Sequence, residues 1–173
     1  VIDGHNDYPW EVRQRAQGDI AKLDLRVSQP AIMTDLPRLK AGGVGAQFWS
    51  VYIPGDLPGG GFARAQLEQI DLARRVIARY PDRLAPAFTA ADVEQARRRG
   101  KIASLLGIEG GHAIEGSLGA LRAYYDLGVR YMTLTHNVTL DWADSCNDVR
   151  RHGGLTVFGK EVVREMNRLG MLV

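Results

Sequence analysis

The chain has 173 residues, 45% of them hydrophobic and 24% charged, and 22 basic against 20 acidic side chains give a net charge of +2. That composition supports one sizeable core and excludes disorder as the dominant state. No apolar run reaches the roughly 18 residues that a membrane-spanning helix needs. No charged segment leads into an apolar stretch at the start, so no signal peptide is visible. The chain opens on Val1-Ile2-Asp3 without a Met, from which we expect that something upstream has been removed or is not included.

The basic residues are nearly all Arg, the lysines being Lys22, Lys40, Lys101 and Lys160. The one basic run, Arg97-Arg98-Arg99, sits at a helix end before Gly100, where cations favour the dipole. It lacks interleaved aromatics, so no nucleic-acid partner is expected. Cys146 stands alone and cannot form an internal disulfide, which rules out a disulfide scaffold. With no signal peptide, this slightly favours the cytoplasm, although the compartment stays open.

In chain order, residues 1–5 read as a short strand. Thr34-Asp35 caps a short helix to Lys40, stopped by Gly42-Gly43. Residues 44–53 are β-branched and aromatic and read as a buried strand, ended by Pro54-Gly55. After the Gly-rich turn at 59–61, apolar residues from Leu67 to Ile77 recur with helical spacing as far as Tyr80, and Pro81 stops the helix. Leu84 to Phe88 is a strand, and Thr89 or Ala90 opens a helix to Arg99. Ile102 to Ile108 is an apolar strand. Ser117 caps a helix to Leu127, Val129 to Leu134 is a strand, and Thr156 caps a helix to Leu169. Met171-Leu172-Val173 begins one more strand.

Five strand–helix units and the opening of a sixth strand require a parallel sheet with right-handed crossovers. No G-x-G-x-x-G follows the first strand, so a dinucleotide-binding sheet loses its main support. The polar residues favour a (β/α)8 TIM barrel, of which this chain would supply about five and a half βα units. His5 and Asp7 end strand one, Ser50 and Tyr52 close strand two, Glu109 ends the strand at 102–108 and His136 follows the strand at 129–134. Side chains from several strands at one rim are what barrel enzymes use. The long loop 135–155 leaves from the same rim.

His5 and Asp7 are i and i+2 in an extended segment, so both point to one side and can converge on one divalent ion. The competing reading is a turn in which Asp7 bonds local backbone. Glu109 ends an apolar strand, where a carboxylate is costly unless it is paired or metal-bound. An arginine salt bridge is its alternative. His136 would hold a substrate carbonyl oxygen or developing oxyanion, or else cap the loop. His112 points either into the site or into its loop. His152 reads as a solvated loop residue, and Asp141, Asp144 and Asp148 as turn formers, with Asp144 a candidate for ordering the loop. No G-x-S-x-G or H-E-x-x-H occurs, and Cys146 has no assigned base.

Several segments then match a known pattern in order: Asp3-Gly4-His5-Asn6-Asp7, Gly42 to Trp49, Ile108-Glu109-Gly110-Gly111-His112, Leu134-Thr135-His136-Asn137 with Trp142-Ala143-Asp144, and Gly159 to Asn167. The chain resembles the renal (membrane) dipeptidase family, peptidase family M19, zinc dipeptidases with a (β/α)8 barrel related to amidohydrolases. The resemblance implies that His5 and Asp7 hold one zinc, that Glu109 bridges it to a second, and that His136 contacts the scissile carbonyl. It also implies that a hydroxide between two Zn²⁺ ions attacks the peptide carbon. In the family, two further histidine ligands, a substrate-binding arginine and a late aspartate follow the strand that begins at Met171. They cannot be assigned here. A complete barrel needs about 250 residues.

The expectation is therefore the N-terminal portion of one metal-dependent hydrolase barrel domain, holding ligands for one zinc plus the bridging carboxylate and inactive or nearly so alone. Two alternatives stay open: a related amidohydrolase-like enzyme acting on a non-dipeptide amide, and a non-catalytic barrel fragment kept as an interaction module. The expected partner is a dipeptide substrate, with a homodimer left open.

Overall fold

A computed structural model describes all 173 residues, and its elements follow the punctuation of the sequence. The strands are β1 (Ile2–Asp3), β2 (Ala46–Ser50), β3 (Leu84–Pro86), β4 (Ile102–Glu109) and β5 (Val129–Thr133). The helices are α1 (Tyr8–Ala16), α2 (Leu36–Ala41), α3 (Phe62–Arg79), α4 (Ala90–Arg98), α5 (Leu118–Asp126) and α6 (Val157–Leu169). Single 3-10 turns cover Ile20–Leu23 and Gly111–Ile114. No helix is long and apolar enough to cross a membrane.

Side chains that accept from the first turn fix the helix starts. Asp35, Thr89, Ser117 and Thr156 accept from the backbone N–H of Arg38, Asp92, Ala120 and Gly159. At α4 the cap is reciprocal, because Asp92 takes the Thr89 N–H in return. The sequence reading assigned nothing to 8–16, where α1 stands. Its signal was present: Pro9 fits a first turn whose N–H is unpaired anyway, and Tyr8, Val12 and Ala16 recur at i, i+4 and i+8 and are buried.

The chain forms two compact units, Val1–Val51 with Gln69–Leu106, and Tyr52–Glu68 with Gly107–Val173. The first holds a parallel sheet. Ile2 and Asp3 pair with Ala46 and Gln47, and Leu84, Ala85 and Pro86 pair with Ile102, Ala103 and Ser104. The order is β1-β2-β4-β3. Chain order would put β3 beside β2, but β4 takes that place, with the Ala103 N–H donating to the Gly45 carbonyl at 3.0 Å. The reason lies in the strands. β4 has seven buried residues in succession, the pattern of an interior parallel strand. β3 has three residues and ends in a proline without an N–H, which suits a short edge piece. Beneath them Ala46, Ala87, Ala96, Ala103 and Leu105 pack closely, so α4 sits near the strands.

In the second unit β5 pairs with β4, which continues to Glu109. A Cβ on Gly107 would meet the Tyr131 ring at 2.0 Å, so only glycine lets that ring lie against the strand. Leu172 forms a parallel bridge with Tyr131, which is the expected opening of the next strand. Loop 135–155 is ordered through local bonds. The Asp144 carboxylate accepts from the N–H groups of Arg151, His152 and Gly154, and Ala143 bridges Leu155.

Candidate metal-ligand side chains at the strand ends

In the first unit, the segment after β1 delivers His5 and Asp7 side by side. His5 Nε2 lies 3.2 Å from Asp7 Oδ1, and both side chains are about half exposed, at 42% and 50%. They line a cavity of about 410 Å³ together with Asn6, Ile32 and Met33. Asp7 precedes α1, yet the helix takes its start from the Asp7 carbonyl, which accepts from the N–H groups of Trp10 and Glu11, and not from the carboxylate. The carboxylate therefore stays with the imidazole.

Asn6, between them, anchors the segment. Its Oδ1 accepts from the Tyr8 N–H at 3.0 Å and the Thr34 hydroxyl at 2.9 Å, and its amide donates to Gln47 Oε1 at 3.4 Å. Gln47 is fully buried on β2 and donates to the carbonyls of Asp3 and Phe48. Asn6 and Gln47 stand in the matching motifs, but the sequence alone assigns neither of them a role. An imidazole nitrogen and a carboxylate oxygen held together are a donor set that fits Zn²⁺ or a similar divalent ion.

In the second unit, Glu109 ends β4 half-buried, and its Oε1 lies 3.2 Å from His136 Nδ1. It is thus paired with a histidine, where the sequence weighed a metal against an arginine salt bridge. Gly110 has a φ of 108°, and its N–H donates to the Thr133 hydroxyl at 2.7 Å. At Gly111 a Cβ would stand 2.5 Å from both the Leu134 carbonyl and the Trp142 ring. The two glycines let the chain turn tightly behind the carboxylate. His136 meets the Tyr52 ring edge-on, with centroids 5.6 Å apart, and its carbonyl accepts from the Ser145 hydroxyl.

His112 is buried. Its Nε2 bonds the Ile53 carbonyl at 2.9 Å and its ring stands edge-on to Phe62, so it serves the loop after β2. Burial pushes its pKa down, which keeps it neutral. His152 bonds the Leu140 carbonyl within its own loop, and Cys146 is exposed. Burial acts to raise the pKa of Asp144, but the amides of Arg151, Gly154, His152 and Gly153 outweigh it and bring it to about 2. The turn-forming role expected of it is thus a loop-ordering one.

Parallel strands alternating with helices, with imidazole–carboxylate pairs at strand ends, are the pattern of a (β/α)8-type barrel whose strand ends carry candidate metal ligands. The chain belongs to the membrane dipeptidase family, peptidase family M19, whose model matches residues 1–173. It is 44% identical over 178 residues to Dipeptidase 3 of Mus musculus, covering 100% of this chain and 35% of that protein. It is 45% identical over 184 residues to Dipeptidase verJ of Clonostachys rogersoniana, covering 100% of this chain and 47% of that one. Among solved structures, a metallopeptidase from Rhodobacter sphaeroides bound to a phosphinate mimic of the dipeptide L-Ala-D-Ala matches with a TM-score of 0.71. The identity is 25%, over 99% of this chain and 57% of that one. The chain thus spans between about a third and a half of the curated relatives' length.

Proposed function

We propose that the protein containing this chain is a zinc-dependent dipeptidase, and that the chain forms the N-terminal portion of its barrel domain. The observation that carries the reading is the His5–Asp7 pair, an imidazole and a carboxylate at 3.2 Å. The family and the dipeptidase names of the relatives support it. In this reading His5, Asp7 and Glu109 would hold metal, and the substrate is a dipeptide. Bound zinc would supply a Lewis acid for the peptide carbonyl and a water of lowered pKa.

His136 acts on the substrate. Its Nδ1 lies 3.2 Å from the Glu109 carboxylate, which orients the ring. Oriented this way, the imidazole is placed to hold the carbonyl oxygen of the scissile bond, where charge develops. The Tyr52 edge contact and the Ser145 bond to its carbonyl restrict the ring and the backbone behind it.

The test compares the full-length protein with His5→Ala and His136→Gln, measuring zinc content and dipeptide hydrolysis. The expected result is zinc lost and hydrolysis lost in His5→Ala. In His136→Gln zinc is kept and kcat drops by roughly 100-fold or more. Bound zinc with turnover only of a non-dipeptide amide would move the protein to the amidohydrolase alternative. An unmodified protein without zinc would move it to an interaction module.

A further inference from the structure

The N-terminal ends of the strands in the first unit surround a second cavity, of about 720 Å³. His5 and Asp7 follow the C-terminal end of β1 and do not line it. Its polar wall is almost entirely cationic, with Arg26, Lys40, Arg83, Arg97 and Lys101 against the single carboxylate of Asp82. These residues come from five separate places: the segment before α2, α2 itself, the residues before β3, α4 and the residue before β4. Like charges gathered around a concave surface repel one another, and low-dielectric walls focus the resulting positive potential.

Three of the cations are held in place. Arg26 pairs with Asp82 at 2.7 Å and lies over the Tyr80 ring at 4.8 Å. Arg83 also faces Asp82, at 3.6 Å. Lys101 donates to the Pro81 carbonyl at 2.6 Å, an uncharged partner that fixes its head without neutralising it. Asp82 thus serves two guanidinium groups, and Lys40 and Arg97 have no acidic partner. Gly43, Gly45 and Gly100 leave the backbone open between the cations, and Leu36, Val44 and Ile102 add an apolar wall.

We propose that this cavity binds a small organic phosphate. The phosphoryl group would sit against Lys40 and Arg97, where neither cation has another counter-charge. The carbon portion would lie on Leu36, Val44 and Ile102. A guanidinium fork and an ammonium together match the several acceptor oxygens and the more than single charge of a phosphate monoester. Neither His5 nor Asp7 lines it, so it is an effector or second-ligand site rather than part of the hydrolytic one.

Calorimetric titration of the full-length protein with phenyl phosphate, inorganic phosphate and benzoate tests it. Phenyl phosphate should bind tightest, inorganic phosphate more weakly for want of the apolar contact, and benzoate weakest. The double variant Lys40→Gln/Arg97→Gln removes two exposed heads, so the fold stays intact. It should lose at least about tenfold in phenyl phosphate affinity. Zinc content and dipeptide turnover without phosphate should be unchanged. No phenyl phosphate binding at millimolar concentration, equal binding by the double variant, or tighter binding of a short single-stranded RNA would each overturn the proposal. None of these results depends on whether the protein hydrolyses dipeptides.

Discussion

Asn6 shows how much one side chain outside the ligand set decides. It accepts from Tyr8 and Thr34, donates to buried Gln47, and so anchors the segment that carries His5 and Asp7. Replacing it with Ala strands the Gln47 oxygen and two donors. Asn6→Ala should lower the stability of the full-length protein by about 1–3 kcal/mol, read as a shift of the urea midpoint without a change of slope. Zinc affinity should fall with it, since the His5–Asp7 spacing loses its support. Unchanged stability would mean that the anchor lies elsewhere.

At the scale of elements, loop 135–155 behaves as a structured piece whose centre is Asp144. The folded-state pKa of about 2 lies below the ordinary carboxylate value near 3.8. The carboxylate thus contributes stability in full above about pH 4, and the contribution is lost as the pH falls through about 2. Trp142, buried in the loop against Phe158, is the reporter. Its fluorescence should show the loop opening between those values. In Asp144→Ala the amides of Arg151 and His152 should already exchange fast at neutral pH, and the acid step should be missing. The α4 cap gives a second, smaller expectation. Thr89→Ala breaks a reciprocal pair and should destabilise by about 1 kcal/mol in thermal unfolding.

For the whole molecule, metal binding and folding are linked in the proposed reading. An ion that binds the folded protein and not the unfolded chain adds about 2.7 kcal/mol at a hundredfold excess over its Kd. Chelator treatment of the full-length protein should therefore lower its melting temperature, and added zinc should restore it. His5→Ala should melt near the chelated value and respond little to zinc. A melting temperature that ignores both would remove the metal from the stability of this fold.

Much of this was written locally. Caps at Asp35, Thr89, Ser117 and Thr156, the apolar run of β4 and the glycines that end helices depend on neighbours a few positions away, so every strand, every helix but α1 and the His5–Asp7 pair could be read directly from the sequence. The family resemblance also rested on short segments in order. Tertiary structure alone decided what depends on partners far along the chain. β4 displaced β3 beside β2 because an eight-residue strand with seven buried residues in succession can pair along both of its edges and a three-residue strand ending in Pro86 cannot. Asn6 found Gln47, 41 positions away, and His112 found Ile53, 59 positions away. A hydrogen bond across that distance leaves no periodic mark, so the residues that hold the candidate ligands in place emerged only once the strands were paired.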